Sequence, residues 1–243
     1  MIRRTSFLSR MKVRTLISLI ALTLSGATFG EQSTRTPARF DDGELSLAHR
    51  IRFPDVEGDV MKTAFCESVV EDNGRFHSNT CRITGSKKNK LFYYAIRDAT
   101  RRSMRAVPAI VNGKPRSALF HYQVLFVRAD GRDSIRIFPN WGYDSKTYGP
   151  EYHAPQRLFE RGAWLCGGER FGALATNRIN EAGASVGKVS IRLSLGLTPS
   201  PHCLSMIRDR HEKAEYVPAH HNGKPVEATY VELWGDFEMI GLQ

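Results

Sequence analysis

A nine-residue phrase that occurs twice constrains this chain most. Val107-Pro108-Ala109-Ile110-Val111-Asn112-Gly113-Lys114-Pro115 returns as Val217-Pro218-Ala219-His220-His221-Asn222-Gly223-Lys224-Pro225, with seven of nine positions identical. An aromatic-rich run follows each copy, Ala118 to Phe126 and Ala228 to Trp234. Proline and glycine mark turns in any loop, but seven matches, each followed by a strand-like run, point to one structural unit built twice. The phrase speaks to architecture and not to chemistry.

The 243 residues leave room for one large domain or two small ones, and a hydrophobic fraction of 41% suffices for ordinary cores. The formal charge of +10 changes meaning once it is located. Arg3, Arg4, Arg10, Lys12 and Arg14 lie in the first 30 residues, which hold no acid, so the remainder carries only +5. That balance argues against a nucleic-acid partner. Residues 1–30 read as a secretory signal: a basic start, the apolar run Leu16 to Leu24, and Ser25-Gly26-Ala27 as a small-x-small cleavage site. Met11 is a second candidate start, and an uncleaved anchor is the competing reading. The apolar run falls short of the about 20 residues a span needs. Cleavage near 27–30 is therefore expected, giving a periplasmic protein with no stable membrane anchor. Four cysteines, with no C-x-x-C and no Cys/His zinc spacing, fit disulfides in an oxidising compartment rather than a metal centre.

Residues 31–50 are polar and read as a short mobile leader, with Leu47 to Pro54 docking onto a first module, 51–138. There Gly58 to Val70 reads as a strand and Asn73-Gly74 as the centre of a two-residue turn, both residues at positive φ. Arg75 to Ile83 returns antiparallel. In that register Cys66 lies opposite Cys81 in a hydrogen-bonded pair, Cα atoms about 5.5 Å apart, within reach of a disulfide; a bulge would alter the count. Phe92, Ala95, Ile96 and Ala99 then recur at helical spacing. After the first phrase come a strand, Leu119 to Arg128, a turn at Asp130-Gly131, and a strand, Ser134 to Phe138. The fold class is α+β, a small antiparallel sheet packed against one helix.

Residues 139–180, rich in Tyr, Trp and Pro, read as an ordered irregular connector that covers a sheet edge or builds a groove. A second module, 181–243, is expected to start with the alternating strand Gly187 to Leu195. Ser200-Pro201 reads as a helix N-cap with proline at the first helical position, and Ile207-Arg208-Asp209 repeats Ile96-Arg97-Asp98. This copy reads as partial, without the returning arm of the hairpin. Cys203 pairs with Cys166 by elimination.

Gly58-Asp59-Val60, the Asp72-Asn73-Gly74 turn, the Ala95/Ala99 helix and Val107-Pro108-Ala109 with Asn112-Gly113-Lys114-Pro115 resemble the C-terminal domain of the TonB family. The resemblance covers about Gly58 to Val127 well and Gly187 to Trp234 in part, which makes the chain two TonB C-terminal-like modules. It implies no catalytic residues and no cofactor. It implies that a peptide of an envelope protein, in that family an outer-membrane transporter, pairs with the exposed edge of the last strand: Leu119, Phe120, His121, Tyr122, Gln123, Val124, Leu125 and Phe126. Backbone pairing would supply affinity and alternate side chains selectivity. The family's transducers carry a membrane anchor and a long Pro-rich arm. Here the leader spans only about 20 residues, at most about 70 Å when stretched. A free recognition protein therefore fits better than an energy transducer.

No enzyme site assembles. His220-His221 lacks a carboxylate or cysteine at ligand spacing and reads as a solvated turn, so no metal is expected. Gly183-Ala184-Ser185-Val186-Gly187 spells the nucleophile-elbow motif, but a strand follows where a helix is needed. Lys87, Lys88, Arg97, Arg101, Arg102 and Arg105 crowd into module one. They read as a solvated face, or as a patch for anionic lipid or wall polymer.

Overall fold

A computed structural model describes residues 34–84, 89–101, 104–160, 166, 169–194 and 198–235. The expected signal, 1–30, lies outside them. No helix among the described residues is long and apolar enough to cross a membrane.

The chain opens with β1 (Arg35–Thr36), β2 (Arg39–Phe40) and one helical turn, α1 (Leu47–Arg50). A first unit follows: hairpin β3 (Val60–Val70) and β4 (Phe76–Ile83), helix α2 (Asn89–Thr100), short strands β5 (Ala106–Val107), β6 (Ala109–Val111) and β7 (Lys114–Arg116), then β8 (Ala118–Ala129) and β9 (Arg132–Phe138). The connector holds α3 (Ser145–Tyr148) and β10 (Gln156–Arg157). A second unit repeats the order: hairpin β11 (Gly172–Ile179) and β12 (Ser185–Leu193), helix α4 (Pro201–Lys213), β13 (Tyr216–Val217), β14 (Ala219–His221), β15 (Lys224–Val226) and β16 (Ala228–Gly235). The two main sheets run β4-β3-β8-β9 and β12-β11-β16.

The two units match in register as well as in order. Val70 pairs with Ala118 and Cys66 with Tyr122 in one; Ile179 pairs with Ala228 and Ala175 with Glu232 in the other. Their hairpin turns carry the same backbone bonds. Gly74 N donates to Glu71 O and Glu71 N to Arg75 O, as Gly183 N donates to Asn180 O and Asn180 N to Ala184 O. Both copies of the phrase fold alike. Asn112-Gly113 (φ 51° and 73°) and Asn222-Gly223 (52° and 74°) occupy two-residue turns that only residues tolerant of positive φ accept.

The second copy therefore does keep the returning arm of its hairpin. Its first strand, β11, lies inside the expected connector, and the strand read as Gly187 to Leu195 is the returning arm. The expected boundary at 181 cuts the β11–β12 turn. β11 escaped the periodicity reading because both of its faces are buried. Ala173 and Ala175 pack with Cys203 and Ile207 beneath α4, while Leu174 packs with Phe65, Trp141 and Val231. A strand covered on both sides shows no polar alternation.

The first hairpin reaches its disulfide by two departures that cancel. Its loop is three residues, Asp72 to Gly74, with Gly74 alone at positive φ (79°), which shifts the pairing by one. A bulge between Glu67 and Val69, with Ser78 at φ 54°, shifts it back. Cys66 therefore does face Cys81, with Cα atoms 4.1 Å apart. That spacing belongs nearer to a non-hydrogen-bonded pair than to the expected one. Cys166–Cys203 forms the second disulfide. Ser200 caps α4, its Oγ accepting from Cys203 N at 3.2 Å with Pro201 behind it.

The larger core lies between α2 and its sheet. Phe92, Ile96 and Ala99 meet Ala64, Cys66 and Val70 of β3 and Phe120, Tyr122, Val124 and Phe126 of β8. Each fully buried aliphatic or aromatic side chain contributes about 1.5–3 kcal/mol, so this face holds the unit together. Ser33–Gln243 forms one compact unit. The leader is tied down rather than mobile: β1 pairs with β6 and β2 with β5. The Gln156 amide also exchanges two bonds of 2.7 Å with the Ala38 backbone. Leu47 is fully buried, and the Phe53 ring meets Phe92 and Phe126 edge-on.

Candidate functional site

From Gln123 onward the site expected on β8 is not an edge. β8 pairs with β3 from Ala118 to Arg128 and with β9 from Gln123 to Ala129. Leu119, Phe120, His121, Tyr122, Val124 and Phe126 are buried, and Gln123 and Leu125 are half-buried. Asp130 and Gly131, at φ 52° and 72°, turn the chain straight back, so β9 takes the outer position. His121 instead faces inward. Its Nε2 lies 2.9 Å from Glu67 Oε2, and its ring touches Trp141 and Tyr230.

Among the described residues the two main sheets end on β4, β9, β12 and β16, and three of these edges are spoiled for pairing. β4 carries the Ser78 bulge, and β12 slips register near Gly187, which sits at φ 79°. Bulges twist an edge away from a new strand. On β16 the Thr229 amide donates to Asp144 Oδ2 at 2.6 Å and the Gly235 carbonyl accepts from Arg82 at 2.6 Å. β9 differs, because its register runs unbroken from Arg132 to Phe138. The pair flanking a two-residue turn exchanges both hydrogen bonds. Arg132, Ser134, Arg136 and Phe138 thus point their amides at β8, and Asp133, Ile135 and Ile137 point theirs outward.

The two faces beside this edge differ in chemistry. Ile135 and Ile137, opposite Phe126 and Val124, are half-buried against the main core. Asp133 shares their face and is held by Arg128 through bonds of 2.5 and 2.9 Å. On the other face Arg132, Ser134 and Arg136 are exposed, and Arg136 lies over the Phe138 ring, 4.9 Å from its centroid. What this arrangement offers is backbone donors and acceptors in a row, with an apolar flank on one side and a cationic flank on the other. Ser134 to Phe138 was legible as a strand. The Asp130-Gly131 turn carried the further signal that it must cover β8.

The densest polar cluster lies beneath α4, and beside it the buried Nε of Arg210 has no hydrogen-bond partner among the described residues. Arg157 forks onto Glu232 with bonds of 2.9 and 2.7 Å, and Tyr230 OH donates to the same carboxylate at 2.8 Å. Burial works to raise the Glu232 carboxyl, but Arg157 outweighs it and holds the group well below the usual carboxylate range. His211 is neutral with a fixed tautomer. Its Nδ1 donates to Asn177 Oδ1 at 3.2 Å and its Nε2 accepts from Trp234 Nε1 at 3.3 Å. Burial pushes it down to about 4. With these groups bound to one another, the cluster packs the interior.

His220 is not a solvated turn residue. It forms a backbone bridge with His153, and its Nε2 donates to the Arg35 carbonyl at 3.0 Å, pinning the leader. No group of three or more His, Cys, Asp or Glu among the described residues is arranged to hold a metal ion. Of the basic residues, Lys87, Lys88 and Arg102 lie outside the described residues. Arg97 pairs with Asp98 at 3.0 Å and lies over Tyr94, Arg101 is exposed just past α2, and Arg105 bridges to Arg75 at the far end of the hairpin. Ser185 opens β12, so the nucleophile-elbow motif stands at the entry to a strand. No protein-family model, curated protein or solved structure matches this chain at a significant level.

Proposed function

We propose that this is a non-enzymatic recognition protein of the cell envelope, exported to the periplasm, which takes an extended segment of a partner protein as an added strand on β9. The observation that carries the reading is the seven-residue outer strand Arg132–Phe138, unbulged and unpaired on its outer side among the described residues. Two hairpin–helix–strand units with matching registers support TonB C-terminal-like modules, whose mode of binding is strand addition. Two disulfides suit an oxidising compartment. The proposed edge is moved from β8 to β9, because β9 occupies the outer pairing positions of β8 from Gln123 onward and Leu119 to Tyr122 are buried.

Selection of random linear peptides on the disulfide-intact protein tests this directly. The selected peptides are expected to slow hydrogen exchange at the amides of Asp133, Ile135 and Ile137. Ile135→Pro removes one outward donor and should abolish binding, whereas Ile135→Thr keeps the donor and should retain most of it. Peptides that bind without protecting these three amides would sink the reading.

A further inference from the structure

We infer that the segment β9 accepts is amphipathic and acidic: apolar side chains on the side facing α2 and carboxylates on the opposite side, above Arg132 and Arg136. The inference rests on strand addition at β9 and names the chemistry of the partner. A strand added at about 4.8 Å continues the pleat, so each of its side chains falls beside the β9 residue it pairs with. On the α2 side those neighbours are Ile135 and Ile137, whose outer surfaces extend the core at Phe126 and Val124. Apolar residues placed there bury area that β9 leaves open.

On the other side the neighbours are two cations. Arg132 makes no ion pair among the described residues. Arg136 has only a 3.8 Å contact with Glu151, and their side chains are 57% and 70% exposed. The one acid on β9, Asp133, lies on the α2 side and is neutralised by Arg128, so it does not repel an anionic segment at a distance. Arg132 and Arg136 stand four residues apart on one face, about 13 Å along the strand. Antiparallel pairing, the more stable arrangement per residue, then calls for apolar–acidic–apolar–any–any–acidic. Each exposed pair adds little, so charge sets selectivity here while the backbone supplies affinity.

Cations on an edge also act as guards against self-association, and the experiment separates the two roles. Peptides containing Val-Glu-Val-Thr-Thr-Glu, its Gln analogue and its Lys analogue are titrated against the full disulfide-intact protein at low salt, with amide exchange on β9 followed in parallel. The Glu peptide is expected to bind about three- to tenfold tighter than the Gln peptide and tighter still than the Lys peptide. Arg132→Glu/Arg136→Glu, both exposed positions, should reverse the order without lowering Tm. Equal binding of all three, with Asp133, Ile135 and Ile137 protected, overturns the acidic specificity and leaves strand addition standing. No protection by any peptide in a monomeric protein overturns both and leaves the arginines as guards. Protection of the same amides without peptide, in a protein that sediments as a dimer, makes a second copy the occupant and overturns the inference.

Discussion

The two units share a frame and fill it with opposite chemistry. At the helix-facing positions of the closing strand the first carries Phe120, Tyr122 and Val124; in matching register the second carries Tyr230, Glu232 and Trp234. One interior is a stack of rings beneath α2, and the other sets an ion pair, an imidazole and two hydroxyls beside a smaller apolar cluster beneath α4. Turns and register therefore specify this fold, and the core is free to vary provided that buried polar groups find partners. The lesson extends to the edges. Each unit hides the outer side of its closing strand, one behind β9 and the other behind Asp144 and Arg82. The frame alone does not say which strand is left at the edge.

The largest expected effect sets the two interiors against each other. Glu232→Ala strands a buried guanidinium and should cost about 3–5 kcal/mol. The register-matched Tyr122→Phe loses only the 2.7 Å bond to Asn79, about 1 kcal/mol. Replacing Arg157 and Glu232 together by Met should recover most of the loss, since it removes both charges. Urea unfolding of the three variants decides the matter. A Glu232→Ala loss no larger than that of Tyr122→Phe would break the contrast.

The hairpin turns should behave alike. A Cβ on Gly74 would run into the Ala106 carbonyl, and one on Gly183 into the Tyr216 carbonyl, each the residue just before the repeated phrase. Both glycines also sit at positive φ, 79° and 78°. Alanine at either position should cost about 1–3 kcal/mol, with Gly183→Ala the worse because its approach is closer. Thermal melts that fall for only one of them would show that the turns are not equivalent.

The smallest effect is a dependence on pH carried by buried histidines, His211 in the second unit and His153 in the connector, each held down to about 4 chiefly by burial. His211 is held down to about 4, chiefly by burial, against 6.5 in the unfolded chain. The unfolded state therefore takes the proton first. Stability from this group is complete above about 6.5 and is lost as pH falls toward 4, by at most about 1.4 kcal/mol per pH unit. Glu232, also depressed, adds its own loss as pH falls below about 4.5. His211→Gln should reduce the slope of the Tm profile between pH 6.5 and 4.5, leaving the share due to His153, and an unchanged slope would place the titration elsewhere.

Much of this architecture was written locally. Asp130-Gly131, Asn112-Gly113 and Asn222-Gly223 announce their turns because few residues accept positive φ. Ser200-Pro201 announces a helix start, and Phe92, Ile96 and Ala99 announce a face, since those constraints act within a few residues. The Cys66–Cys81 pairing was legible only in outcome, because a shorter loop and a bulge offset each other. Tertiary structure decided the rest. β11 is a strand without alternation because sheet one and α4 cover both its faces, and Tyr230, Glu232 and Trp234 form a core because Arg157 and His211 arrive from distant segments. The outer edge of the first sheet falls on β9 and not on Gln123 to Phe126 for the same reason: whether a strand is an edge depends on what lies beside it in space, and periodicity along the chain records faces and not neighbours.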